Sequence, residues 1–196
     1  MKTFIYFTFI ISLLNISGCQ TISKTTDKVT DKALSMVGLV KKDKVPEIDK
    51  KGVVDISKTT LEQIEKLKHN MPIGQWVYIE NDLQGMYELQ NKADNGQLLI
   101  MRLNCKNNIN KASFAIQDPQ GGTLLRSLDP ESGNIQLLLD NKNYGNPFSR
   151  AQHKQLDSFK SALKQAKVIK IFNANTLYSF KNGQAQLLDQ AVTCVS

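Results

Sequence analysis

The chain has 196 residues, 25 Lys and Arg against 18 Asp and Glu, and a formal charge of +7. Its lysines are scattered and aromatic residues make up 7%, which excludes the concentrated basic and aromatic surfaces that grip nucleic acid. The size suits one folded domain, and the modest positive charge suits a solvated lysine-rich surface or contact with anionic headgroups and acidic wall polymers.

The N-terminus carries Lys2, an almost wholly apolar run to Ile16, and then Ser17-Gly18-Cys19. One charge, a short apolar core and small residues make a secretory signal, too short for a comfortable membrane span. The Ile16-Ser17-Gly18-Cys19 ending resembles the lipobox of bacterial lipoproteins. That resemblance implies a diacylglyceryl group on the Cys19 thiol, removal of residues 1–18 and acylation of the new amine, typically with palmitate. Gln20 in place of Asp implies, by the same resemblance, sorting to the outer membrane with the body in the periplasm. Each buried methylene adds about 0.8 kcal/mol, so two or more chains anchor a protein almost permanently. The alternatives are an ordinary cleaved signal with Cys19 as a bystander, or an uncleaved anchor.

Residues 19–57 read as a polar tether, and residues 58–196 as the periplasmic domain. Within the tether, Val29, Ala33, Met36, Val37 and Val40 recur near helical spacing, predicting a short helix over 26–40 that Gly38 weakens. Residues 57–68 predict a second helix with a Leu61, Ile64, Leu67 stripe, a Thr59–Glu62 capping box and a stop at Pro72.

From Gly74 the pattern turns to strands. Residues 75–79 and 86–89 flank a turn at 82–85, and Asn95-Gly96 signals a hairpin into the apolar run 98–105, the expected central strand. Residues 111–117 are expected to pair with it across the turn 107–110, 124–128 and 135–139 flank the turn 129–133, and 141–147 is a polar loop. Residues 152–167 form the best helix of the body, with Leu156, Phe159, Leu163 and Ala166 on one face. A hairpin of 168–172 and 177–180 follows, and 184–192 closes the chain as a helix. The sum is an α+β domain, an antiparallel sheet packed with helices.

With Cys19 lipidated, Cys105 and Cys194 remain, an even number for an oxidising compartment. They are expected to pair and close a loop of about 90 residues, contributing roughly 4–5 kcal/mol in the chain-entropy model. Two buried free thiols are the alternative. Two cysteines and two isolated histidines offer no metal-ligand spacing, and no cofactor motif is present. His69 and His153 sit at helix ends without a neighbouring nucleophile, and Asp129 with Glu131 has ordinary turn composition, so no catalytic residue is assigned and a non-enzymatic role is expected. Trp76, Tyr78 and Tyr87 form a candidate binding patch if they face outward, and core packing is their other fate.

The strand ending at Cys105, the helix Leu156-x-x-Phe159-x-x-x-Leu163-x-x-Ala166, the run Phe180-x-x-Gly183-x-x-x-Leu187-Leu188 and the final Cys194 resemble periplasmic proteins associated with type VI secretion. Residues 32–42 with Val45-Pro46-Glu47-Ile48 echo the segment after the lipid cysteine in some type VI outer-membrane lipoproteins, although that family's β-sandwich motif is absent. These resemblances imply an outer-membrane lipoprotein that binds a periplasmic partner, either a secretion-complex component or peptidoglycan. An inhibitor or immunity lipoprotein against a toxin or lysozyme is the alternative, with residues 141–149 as a protruding inhibitory loop.

Overall fold

The computed structural model describes residues 44–107, 111–174 and 176–194. The signal peptide, Cys19 and the expected 26–40 helix lie outside them.

The described chain opens with a short strand β1 (Val53–Asp55) and helix α1 (Leu61–Asn70), then runs through β2 (Trp76–Asn81), β3 (Met86–Lys92), β4 (Leu98–Arg102), β5 (Asn104–Cys105), β6 (Ser113–Gln117) and β7 (Thr123–Arg126). It continues through β8 (Ile135–Leu139), β9 (Lys142–Asn143), α2 (Leu156–Leu163), β10 (Val168–Asn173), β11 (Thr176–Lys181) and β12 (Ala191–Val192). A six-stranded sheet has the order β1-β2-β3-β4-β6-β7, and a four-stranded sheet the order β11-β10-β8-β9. All their pairings are antiparallel except β1 with β2. The fold is α+β.

One continuous core joins the two sheets and α2. Alternation turns Trp76, Leu89, Leu99, Met101, Phe114 and Ile116 inward from the larger sheet, where they meet Leu137, Ile169, Ile171 and Phe180 from the smaller one. Phe159 of α2 sits among them, edge-on to Tyr144 and Phe148. Buried Asn182 ties the layers together. Its Nδ2 donates to the carbonyls of Leu163 (2.7 Å) and Ala166 (2.8 Å), and its Oδ1 accepts from the Trp76 indole at 2.6 Å.

A second cluster lies on the outer face of the larger sheet. Leu67 of α1 and Met71 cover Val54, Ile56, Val77, Ile79 and Leu98. This corrects the tether boundary. Val54 and Ile56 are buried, and Val45 and Ile48 pack beside them, so the segment from residue 44 to 57 belongs to the folded body. Hydrophobic burial draws it in despite its polar neighbours.

Three local readings change as well. The capping box is Thr60 with Gln63, not Thr59 with Glu62, and the helix starts at Leu61. The run 98–105 breaks at Leu103, because β5 leaves the sheet to pair in parallel with β12. The closing segment is a short 3-10 turn, Ala185–Asp189, followed by that strand rather than a helix. Gln184 enters it in the left-handed conformation, and the Asn104 amide donates to Leu188 O at 3.0 Å, which draws the segment alongside β5. The Cys105–Cys194 disulfide forms there, with Cα atoms 5.3 Å apart and a sequence separation of 89.

Candidate functional site

The aromatic patch expected from sequence does not exist as a surface. Trp76 is fully buried, and Tyr78 is buried with its hydroxyl donating to Ala191 O at 2.6 Å. Burial, with Glu80 and then Tyr87 and Asp82 nearby, pushes the Tyr78 hydroxyl up to about 12. Tyr87 is half-buried, stacks on Tyr78, donates to Asp82 at 2.7 Å and carries the Lys106 ammonium over its ring. Its hydrogen bond to Asp82 also raises its titration. These three residues organise the β2–β3 hairpin and the chain's C-terminal strand. The 141–149 loop does not protrude as a whole either: Pro147 and Phe148 are buried, and Phe148 packs on Phe114 and Phe159.

The expected turn at 129–133 is present. Asp129 accepts from Glu131 N at 2.9 Å and caps a short 3-10 turn, Pro130–Ser132. Its carboxylate therefore has a structural task. His69 is exposed at the end of α1, and no group of three or more His, Cys, Asp or Glu among the described residues is placed to hold a metal.

The most site-like feature is a groove of about 630 Å3 on the half of the larger sheet that α1 leaves open. That volume lies within the range of about 300–1,000 Å3 typical of ligand sites. Outward positions of β4 and β6 make its floor, with Ile100 and Ala115 as the apolar part and Arg102, Ser113 and Gln117 as the polar part. Arg126 of β7 and the following Leu128 and Asp129 form one wall.

Beside the floor, on the same outward face of β3 and β4, lies a polar cluster. The antiparallel register pairs Leu89 with Met101, so the next residues, Glu88 and Arg102, meet side by side. Arg102 Nη2 donates to Glu88 Oε1 at 2.8 Å, and Gln90 Nε2 donates to Glu88 Oε2 at 3.0 Å. Both charged side chains are more than four-fifths buried. Arg102 Nε and Gln90 Oε1 are buried without a hydrogen-bond partner among the described residues. Buried polar atoms are normally paired, so these two leave hydrogen-bonding capacity unmet within the protein.

An adjoining cleft of about 510 Å3 shares Ser127, Leu128 and Asp129 with the groove and brings in Lys111 and Arg150. The chain has three arginines and 22 lysines, and all three arginines line these two clefts. Sequence reading missed them. The available signals were their scarcity and the placement of Arg102 at the end of an otherwise apolar strand. Arginine's planar fork matches carboxylates bidentately, whereas lysine acts as a point charge. The groove's hydroxyls, Ser113, Ser127 and Thr123, have no histidine beside them in its lining, and Ser127 Oγ accepts from Phe114 N at 2.9 Å. The lining offers guanidinium and hydroxyl groups along its polar side.

Fold and groove together define a disulfide-closed α+β domain with an open groove on one sheet face. Residues 74–187, more than half of the chain, match the family model described as YfjT. The chain belongs to the YfjT family. That match covers the groove strands and ends within the 3-10 turn that leads to β12. No curated protein and no solved structure matches the chain. Among the described residues, no helix is long and apolar enough to cross a membrane.

Proposed function

We propose that this chain is an outer-membrane lipoprotein, anchored by acyl chains on Cys19, whose periplasmic domain is a non-enzymatic binding component of a type VI secretion assembly. The observation that carries the reading is the Cys105–Cys194 disulfide. Disulfides persist in exported proteins and are rare in reducing compartments, which agrees with the signal-like leader. The open groove supports a binding role. The link to type VI secretion rests on the sequence resemblance of the C-terminal half and of residues 32–48.

Cell fractionation with labelled palmitate tests the anchor. The native chain should incorporate label and sediment with the outer membrane, and Cys19→Ser should do neither. A native chain that stays unlabelled in the cytoplasm would refute the reading. Affinity capture from cells carrying the secretion machinery tests the role, and recovery of no secretion component would remove the type VI assignment.

A further inference from the structure

We infer that the groove binds an extended acidic segment of a partner protein, with Asp or Glu carboxylates seated on Arg102 and Arg126. The inference rests on the reading of this chain as a binding protein and names what its site takes.

Two side chains carry it. Arg102 lines the floor and spends Nη2 of its five-donor fork on Glu88. Arg126 is exposed on the wall, and among the described residues its guanidinium makes only a long 3.4 Å contact to Thr123 Oγ1. Its guanidinium can therefore turn to a ligand without breaking a strong bond.

Charge balance then selects the ligand. Glu88 offsets Arg102, and Asp129 stands beside Arg126 in the lining, so the groove is not a strongly cationic sink. Such a site suits single carboxylate charges and disfavours dianionic phosphate or a nucleic-acid backbone. Shape selects an extended form. The groove runs on into the cleft of Lys111 and Arg150, so a strand-like segment meets cations along its length. Ile100, Ala115 and the exposed side chain of Leu128 offer apolar contacts between them. An alternating acidic and apolar segment satisfies both sets.

The test is anisotropy titration of the purified full chain, in detergent, with a fluorescein-labelled Glu-Val-Glu-Leu-Glu peptide and its Gln-Val-Gln-Leu-Gln counterpart. Binding of the first should be at least about tenfold tighter than of the second. Arg126→Ala should erase that difference, and Arg150→Ala should weaken binding of the acidic peptide. Lys181→Ala, outside both clefts, should change nothing. Equal affinity for the two peptides, an Arg126→Ala protein that binds like the native chain, or displacement by inorganic phosphate at the same concentration as acidic peptide would overturn the inference. Binding of purified peptidoglycan with none of the acidic peptide would also overturn it. Lipid attachment plays no part in this titration, so its failure is separable from failure of the anchoring experiment.

Discussion

The two halves of the outer face of the larger sheet share strands and alternation, yet they finish differently. Over β1, β2 and the start of β4 the outward residues are Val54, Val77, Ile79 and Leu98, and Leu67 of α1 seals them. Over β3, the rest of β4 and β6 they include Glu88, Gln90, Arg102, Ser113 and Gln117, and the groove lies open above β4 and β6. The limit of α1's cover coincides with the change in polarity. Burying an unpaired polar group costs about 1–3 kcal/mol, so a helix laid over the second half would lose more than it gained. The open half is therefore composed as a surface, and its groove is no packing defect.

The disulfide underlies both halves and should show the largest effect. Replacing Cys105 and Cys194 by Ser together should lower stability by about 4–5 kcal/mol in equilibrium denaturation, since it frees a loop of 89 residues. A loss under about 1 kcal/mol would mean that the β5–β12 pairing alone holds the ends.

Leu67→Ala separates the halves. It should cost about 2–4 kcal/mol by opening a cavity under α1. Hydrogen exchange should rise at Val77 and Ile79 and stay unchanged at Phe114 and Ile116. A uniform rise would show that the halves unfold as one.

Glu88→Ala probes the open half and should cost about 1–2 kcal/mol, because Arg102 keeps its charge without its acid. The Glu88→Met, Arg102→Met pair should return stability to near the native value while abolishing acidic-peptide binding. A double variant as unstable as the single one would make the ion pair a packing element.

The smallest effect vanishes at neutral pH. Tyr78 titrates at about 12 in the folded chain because of its burial. In the unfolded chain a tyrosine titrates near about 10. Above that value the unfolded chain binds fewer protons than the folded one, so stability falls as pH rises, and the contribution is gone above about 12. Tyr78→Phe should flatten this alkaline decline in urea titrations across that window. An unchanged slope would place the decline on other groups, Tyr87 first.

Much of this architecture is legible in the sequence. The apolar, β-branched and aromatic run from Trp76 to Ile79 and the apolar run around Leu137 give the strands, Asn95-Gly96 gives the hairpin, and the leader with three cysteines gives the disulfide. What escapes is decided by distant partners. Nothing local says that 98–105 should break at Leu103, because the break is set by β12, more than 80 residues later. The same partner turns the end of the 184–192 segment into a strand. Thr59-Thr60 offers two adjacent caps, and the choice falls to the register that buries Leu67. The groove is the least legible part. Arg102, Arg126 and Arg150 sit in three separate segments, and only the sheet order and the turns after β7 and β9 bring them together.

The tripeptide Asn-Gly-Gln occurs twice, at 95–97 and at 182–184, with opposite chemical prospects. An asparagine before glycine ages by attack of the glycine nitrogen on the side-chain carbonyl, which closes a succinimide and releases ammonia. At Asn95 the turn is exposed, and the asparagine Oδ1 accepts only from Gln97 N. At Asn182 the reacting partners are held apart: Gly183 N donates to Gly74 O, and the side-chain amide is spent on Trp76, Leu163 and Ala166. The amide that joins the layers is thereby protected from its own sequence, and slow deamidation over the protein's lifetime should begin in the exposed hairpin and spare the core.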